Sequence, residues 1–423
     1  MGFINMSVER DVSREYSYEQ VWDKFITGAD YKRGDVVGIV DLDVMLFRVA
    51  SACQTTHIDV SRGKTTKRFG TRTEFKGYCK LKNLDYNTFT IVDGVEAEPV
   101  SYCIHTLKAS IKKLKERLGI TKFIFTVGGS GNFRLDLPLQ NKYKSNRDNM
   151  QKPIHLQACR EYVIKYLDAK LVNGYENDDI VQGLSEWINN NTKAKAYLYT
   201  NDKDSFQSLN SNYIYNPMTD DVTEINGGIG KLYEYKDGVK GHSLHWLLFQ
   251  TFLGDPADCY TPKPFFNRRY ADKSYYKDFK DITNEKELLS KWWDKWCELL
   301  PERIVYTDWK GVEQNLSRLE LAEMMFKCAY MRTSPNDNTT FKHHFSIPFT
   351  GYCFKHFLET LLIATHQSHF SIEDTRTNHT IKTSKILITR KNYYLNGGIN
   401  GVSYYLNELS IQIGKVLNKT YHA

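Results

Sequence analysis

The apolar run Ala196-Tyr197-Leu198-Tyr199-Thr200 is short enough for a buried strand and passes directly into Asp202-Lys203-Asp204. Buried strands that end on paired acids dictate an architecture, because the acids must surface together at the strand's carboxyl end. Side chains two apart at a strand end point the same way, so Asp202 and Asp204 are expected to face one spot. Upstream, Glu176-Asn177-Asp178-Asp179 precedes Ile180-Val181-Gln182-Gly183-Leu184 and Trp187. This reads as a helix start with Glu176 and Asp179 one turn apart on a shared face. Val36 to Val40 forms another apolar strand, ending in Asp41-Leu42-Asp43 before a helix carrying Val44, Leu46, Phe47, Val49 and Ala50. Trp246 to Leu253 runs into Gly254-Asp255-Pro256-Ala257-Asp258. Strands alternating with helices give an α/β fold with a mainly parallel sheet, whose ligand crevice lies outside the strands' carboxyl ends.

These four groups hold nine carboxylates. Crowded acids repel one another unless a cation sits among them, and all-oxygen donors suit magnesium or manganese. So many acids suit two ions about 3.5–4 Å apart, the arrangement that clamps both oxygens of a phosphodiester displacement. Taken singly, each group could equally complement a helix dipole or cap a turn.

The order Ile39-Val40-Asp41, Phe133-Arg134, Tyr143-Lys144-Ser145-Asn146-Arg147, Glu176-Asn177-Asp178-Asp179, Asp202-Lys203-Asp204 and Gly254-Asp255-Pro256-Ala257-Asp258 resembles the flap endonuclease superfamily. Within it the likeness is to bacteriophage 5′–3′ exonucleases and RNase H-like 5′ nucleases. The resemblance covers roughly residues 35 to 260 and implies a PIN-like sheet flanked by helices with a basic arch segment. It implies that Asp41, Glu176, Asp178, Asp179, Asp202, Asp204, Asp255 and Asp258 surround two divalent metals, Mg2+ or Mn2+, with Asp43 a weaker addition. It places Arg134, Lys144 and Arg147 near the scissile phosphate, where fixed cations stabilise developing charge. Phe133 and Tyr143 beside them offer rings on which bases of a single strand stack. The implied activity is 5′–3′ exonuclease or flap endonuclease action on DNA ends, flaps or duplex, with RNA in hybrids a further substrate, in viral (bacteriophage) replication or repair. A PIN-like structure-specific RNase and a weakly catalytic nucleic-acid-binding scaffold stand as alternatives.

The chain departs from the family after Asp258, where Cys259-Tyr260-Thr261-Pro262-Lys263-Pro264-Phe265-Phe266 carries two prolines and no glycine. The usual duplex-gripping hairpin between two helices is therefore expected to be lost or rebuilt. Duplex contact is sought instead between Ser61 and Lys82, where eight basic residues face only Glu74 and the net charge of +7 equals that of the whole chain. Lys64, Lys67, Arg68 and Arg72, with Phe69, Phe75 and Tyr78 interleaved, read as a hairpin that can lie on a nucleic-acid backbone or simply as a solvated surface.

Three regions are expected: a helical lead-in (1–34), a nuclease domain (35–260, with a basic insertion at 61–99) and a mostly helical C-terminal region (261–423) of unassigned role, a possible contact for replication proteins. Helices are predicted at Val100 to Leu118, Gln157 to Leu167, Glu287 to Leu300, Leu316 to Met331, Phe354 to His366 and Val402 to Leu417, and a turn at Asp93-Gly94. Trp292, Trp293 and Trp296 on helical spacing suggest packing. His343, His344, His356, His366, His369 and His379 lack acid or cysteine partners at ligand spacing. The eight cysteines are scattered without a Cys-x-x-Cys pair, and neither a basic leader nor an apolar run approaching a membrane span is found, so a cytoplasmic protein is expected, in host cytoplasm if viral.

Overall fold

The computed structural model describes residues 15–342 except Asn149 and Asp237, all within one compact unit, Met1–Pro348. The two later predicted helices, Cys353 and the six histidines lie outside the described residues.

The chain opens with β1 (Glu15–Tyr16) and α1 (Tyr18–Trp22), the latter started by a reciprocal cap in which Ser17 and Gln20 satisfy each other's backbone N–H. β2 (Val36–Asp41) and α2 (Leu42–Ala52) follow. A side module comes next: β3 (Gln54–Arg62), β4 (Thr65–Phe69), α3 (Arg72–Leu81) and β5 (Thr90–Ala97). The main layer resumes with α4 (Val100–Leu118), β6 (Lys122–Gly128), α5 (Leu156–Tyr166), β7 (Lys170–Val172), α6 (Asn177–Asn191), β8 (Lys195–Tyr199), β9 (Asn212–Asn216) and β10 (Asp221–Ile225). The hairpin β11 (Lys231–Tyr235) and β12 (Gly238–His242) leads to α7 (Ser243–Leu253), α8 (Asp272–Phe279) and α9 (Glu285–Leu299). A second hairpin, β13 (Arg303–Thr307) and β14 (Glu313–Ser317), precedes α10 (Arg318–Ala329).

The central sheet has the order β1-β7-β6-β2-β8-β9-β10, parallel except for the antiparallel β9–β10 pair. Its middle strand shows why both faces are covered. Val37 and Ile39 join Ile180, Val181 and Leu184 of α6 in one cluster, while Val40 joins Leu46, Leu107 and Val163 of α2, α4 and α5 in the other. That alternation is the two-residue period of a strand buried on both sides, each such side chain contributing roughly 1.5–3 kcal/mol. With α6 behind it and α2 in front, the sheet projects the carboxyl ends of β2, β6 and β8 toward one edge. The α/β fold with a mainly parallel sheet flanked by helices is thus as expected, and the described part beyond residue 260 is mostly helical.

Three local expectations need correction. The basic insertion is a folded module, with β3 between β4 and β5 and its own core of Ile58, Val60, Phe69, Phe75 and Cys79. Gly94 makes no turn; it sits inside β5 opposite His57, whose ring would lie 2.2 Å from an added Cβ, so the glycine permits a close cross-strand contact. The helix expected from Leu316 begins at Arg318, because Glu313–Ser317 pairs with β13 and Ser317 caps the helix with Glu320. The tryptophan stripe is interior: Trp292 and Trp296 are fully buried and donate their indole N–H groups to the carbonyls of Leu248 (3.0 Å) and Arg318 (2.9 Å).

Candidate functional site

Asp41 ends β2 and Asp202 follows β8, and each uses one carboxylate oxygen to accept the backbone N–H two residues on, Asp43 at 3.0 Å and Asp204 at 2.9 Å. Asp255 repeats the device with Ala257 at 2.9 Å. Asp202 and Asp204 are consequently not consecutive strand positions: β8 stops at Tyr199 and Asp202 caps a 3₁₀ turn, Lys203–Gln207. The caps keep each chain end tight through one carboxylate oxygen, Oδ1 in all three aspartates.

Among the described residues Asp204, Asp255 and Asp258 each offer an oxygen within 4.8 Å of the others. Asp204 is further fixed by Gln250 of α7, and Asp255, only 2% exposed, by Lys203 Nζ at 2.8 Å. Asp178 lies outside this cluster, where the charges of Asp41 and Asp202 act on it. Burial and the neighbouring Asp43 carboxylate push Asp41 up to about 7, even though Asn177 donates to it at 2.6 Å. Burial, then Asp41 and Asp202, hold Asp178 well above the usual carboxylate range, and burial and Asp202 do the same for Asp204. These are carboxylates short of positive charge in an all-oxygen donor set, and such residues fit a hard divalent cation. Among the described residues the cluster of Asp204, Asp255 and Asp258 could hold one ion, while the charges of Asp41 and Asp202 act on Asp178 and that of Asp202 on Asp204.

Two expected ligands are spent differently. Arg134 is 2% exposed and forks onto Asp179, Nη1 to Oδ2 at 2.7 Å and Nη2 to Oδ1 at 2.8 Å. Its Nη1 also lies 3.2 Å from Glu176, its Nη2 donates to Tyr330 O at 2.7 Å, and its Nε donates to Cys328 O at 3.2 Å. Glu176 and Asp179 do share a face, but one occupied by a guanidinium. The expectation that Arg134 meets a phosphate does not fit this burial: it is an internal staple between the start of α6 and the last turn of α10 with Tyr330 beyond it.

Lys144 lies closer to the acids, pairing with Glu176 and standing 3.7 Å from Asp258. Burial lowers its proton affinity, but Glu176 and Asp258 outweigh that and raise it to about 12, so it stays an ammonium. Arg147, half exposed, pairs with Asp258 at 2.8 Å. Burial raises Glu176 while Arg134 and Lys144 more than offset it, leaving Glu176 ionised below the usual range. Tyr143 is buried and donates to Asp258 at 2.9 Å and to Glu176 at 3.2 Å, which removes it as an exposed stacking ring. Phe133 is partly exposed and lies edge-on to Tyr175 at 6.4 Å. Asp43, the weaker candidate, is held by Arg160 and accepts Gly128 N–H at 2.7 Å.

In the side module, Arg68 is taken by Asp59 at 2.9 Å and Glu96 at 2.5 Å, and Arg72 by Asp93 at 2.8 Å. Lys67 lies over the Tyr78 and Phe69 rings at 4.2 and 5.1 Å, while Lys64 is exposed. The module's surface is therefore less cationic than its composition. After Asp258, the chain turns through Cys259 at φ +62°, pairs Tyr260 with Asp255 and forms a 3₁₀ segment, Lys263–Phe265, before α8. Asn177, Lys203, Gln250 and Arg160 had no assigned role from sequence. Asn177 carried a signal, its place inside the acid block; the others are ordinary polar residues on their own elements.

Residues 70–229 match the family model of the 5′-3′ exonuclease N-terminal resolvase-like domain. This span contains the arch-like blocks, Glu176-Asn177-Asp178-Asp179 and Asp202-Lys203-Asp204, so family model and motif resemblance coincide there. No curated protein matches the chain. Among solved structures, bacteriophage T5 D15 protein co-crystallised with metal ions is 15% identical over 60% of this chain and 78% of its own, with a TM-score of 0.33. A T5 5′-exonuclease mutant is 13% identical over 71% and 88%, at 0.38. A T5 D15 flap endonuclease pseudo-enzyme-product complex with DNA and metal ions is 16% identical over 60% and 78%, at 0.35.

Proposed function

We propose that this chain, whose residues 70–229 match the family model of the 5′-3′ exonuclease N-terminal resolvase-like domain, is a metal-dependent 5′ nuclease that hydrolyses phosphodiester bonds of DNA. The observation that carries the reading is the convergence of Asp204, Asp255 and Asp258 beside the buried Asp41 and the partly buried Asp178, both short of positive charge, just beyond the carboxyl ends of β2 and β8. In this reading Asp204, Asp255 and Asp258 hold one divalent ion, and Asp41, Asp178 and Asp202 the other. Bound there, magnesium or manganese would supply an activated water and charge stabilisation at the leaving oxygen.

The chain's own residues do the rest. Lys203 and Lys144 keep the acids from repelling one another apart. Arg147, half exposed, is free to turn from Asp258 toward a phosphate. Glu176 and Asp179 support the site through Arg134 rather than as ligands. Lys64 and Lys67 are the side module's candidates for contacting nucleic-acid backbone. A cytoplasmic, viral setting and a role in replication fit this reading; among the described residues no helix is long and apolar enough to cross a membrane.

The test is incubation of the purified chain with 5′-labelled duplex, flapped and RNA–DNA hybrid substrates, with magnesium or with excess chelator. Magnesium-dependent release of short 5′ products supports the proposal. Undiminished cutting in chelator, or binding without cutting under every metal, would refute it in favour of a metal-independent enzyme or a binding protein.

A further inference from the structure

Arg332 lies outside the family-matched span and outside every acid group, yet its backbone reaches the site, with its N–H donating to Asp179 Oδ1 at 2.9 Å. Its guanidinium carbon stands 4.1 Å from the Phe133 ring centroid and 5.5 Å from that of Tyr175. A single side-chain donor is used, Nη1 toward Tyr175 Oη at 3.4 Å. The side chain is partly exposed, and among the described residues no carboxylate pairs with it. Arg134, whose guanidinium lies 4.6 Å from the same Phe133 ring, shows the contrast: it is buried and its charge is met by Asp179 and Glu176.

An arginine held over rings has lost much of its rotamer freedom before any ligand arrives, so less is lost on binding. Its unspent N–H groups keep the fork geometry that matches two oxygens of one phosphate. Stacking also explains how a cation can rest beside the site without collapsing onto its acids.

We propose that Arg332, positioned by Phe133 and Tyr175, grips a phosphate of the nucleic-acid strand that runs to the acid cluster. The inference rests on the nuclease reading and adds a binding residue from the C-terminal segment. Its test measures binding by the full chain in chelator, so that no cutting intervenes, to single-stranded DNA with a 5′-phosphate or a 5′-hydroxyl. Titration from 50 to 200 mM salt should give Arg332→Gln a log–log slope shallower by about 0.7, the loss of one single-strand phosphate contact. Arg332→Lys should keep most of the slope but bind several-fold more weakly, because the fork and the stacking are gone. Phe133→Leu, which leaves all charges in place, should do the same.

An effect with both strands places the grip on an internal phosphodiester, and an effect confined to the 5′-phosphorylated strand places it on the end; either supports the proposal. Unchanged slope and affinity in Arg332→Gln, with wild-type binding intact, would overturn the proposal alone and reduce the stack to packing. A wild-type chain that neither binds nor, given magnesium, cuts these strands would instead remove the nuclease reading and this inference together.

Discussion

Asp204 and Arg134 illustrate opposite uses of charge at the residue scale. Asp204 is held well above the usual carboxylate range by burial and by Asp202, so its ionised form weakens the metal-free fold. Asp204→Asn should therefore raise the melting temperature in chelator by a few degrees, from roughly 1–2 kcal/mol, while lowering magnesium-dependent turnover by at least about 100-fold; calorimetry and a labelled-substrate assay measure the two. A variant that loses stability and keeps activity would contradict both halves. For Arg134 the expectation is structural. Arg134→Ala strands the buried Asp179 without its charge partner, while Glu176 keeps Lys144, and should cost about 3–5 kcal/mol of unfolding free energy. Lys144→Ala, at a less buried pair, should lower turnover with a much smaller loss of stability, and denaturant unfolding beside single-turnover rates separates the two. The acids were legible in the sequence because four groups of them fall in order along one α/β pattern, although each group alone has a structural use such as the caps made by Asp41, Asp202 and Asp255. Arg134 was not: nothing local shows that its fork closes on Asp179 and on the carbonyls of Cys328 and Tyr330.

At the scale of elements, the side module is closed at its base, where Glu98 N–H donates to Cys53 O at 2.9 Å. Its ends are therefore adjacent and it has a core of its own, so residues 54–97 should be removable as a unit. Replacing them with a short Gly-Ser linker should leave the melting temperature of the remainder within a few degrees and weaken duplex affinity through loss of Lys64 and Lys67. Replacing only 61–82 would remove the end of β3, β4 and α3, taking Phe69, Phe75 and Cys79 with them and exposing Ile58 and Val60. Comparing the two by calorimetry and by salt-dependent duplex binding checks the boundary, and equal affinity in the whole-module deletion would relieve it of any role in binding. The helix α4 was readable from Leu107, Ile111, Leu114 and Leu118 because a long 3.6-residue period overrides local ambiguity. The strand identity of Gly94 was hidden because its reason is His57 on the facing strand.

For the whole molecule, buried acids set how stability responds to pH. Asp41 titrates near 7 in the fold against about 4 in an unfolded chain. Between those values the folded state binds more protons, so the metal-free protein should lose stability as pH rises from about 4 to 7, by up to a few kcal/mol. Saturating magnesium should flatten this slope, since a ligand that binds only the native state stabilises it and meets the charge directly. Urea midpoints at several pH values, with and without the ion, measure it; a metal-free midpoint that climbs steadily over this range would contradict the assignment. The layout of the central sheet was legible because apolar strands and helices alternate in the sequence. The approach of residues 328–332 to the site was not, since it depends on how α7 to α10 pack.

That approach also bears on how the protein is made. Every acid of the site has been added to the chain once Asp258 is synthesised, but the carbonyls that receive Arg134 belong to Cys328 and Tyr330, and the N–H that completes Asp179 belongs to Arg332. The nascent chain thus carries its full complement of acids well before the scaffold that orders them exists, and the assembled acid site is a late event in its birth.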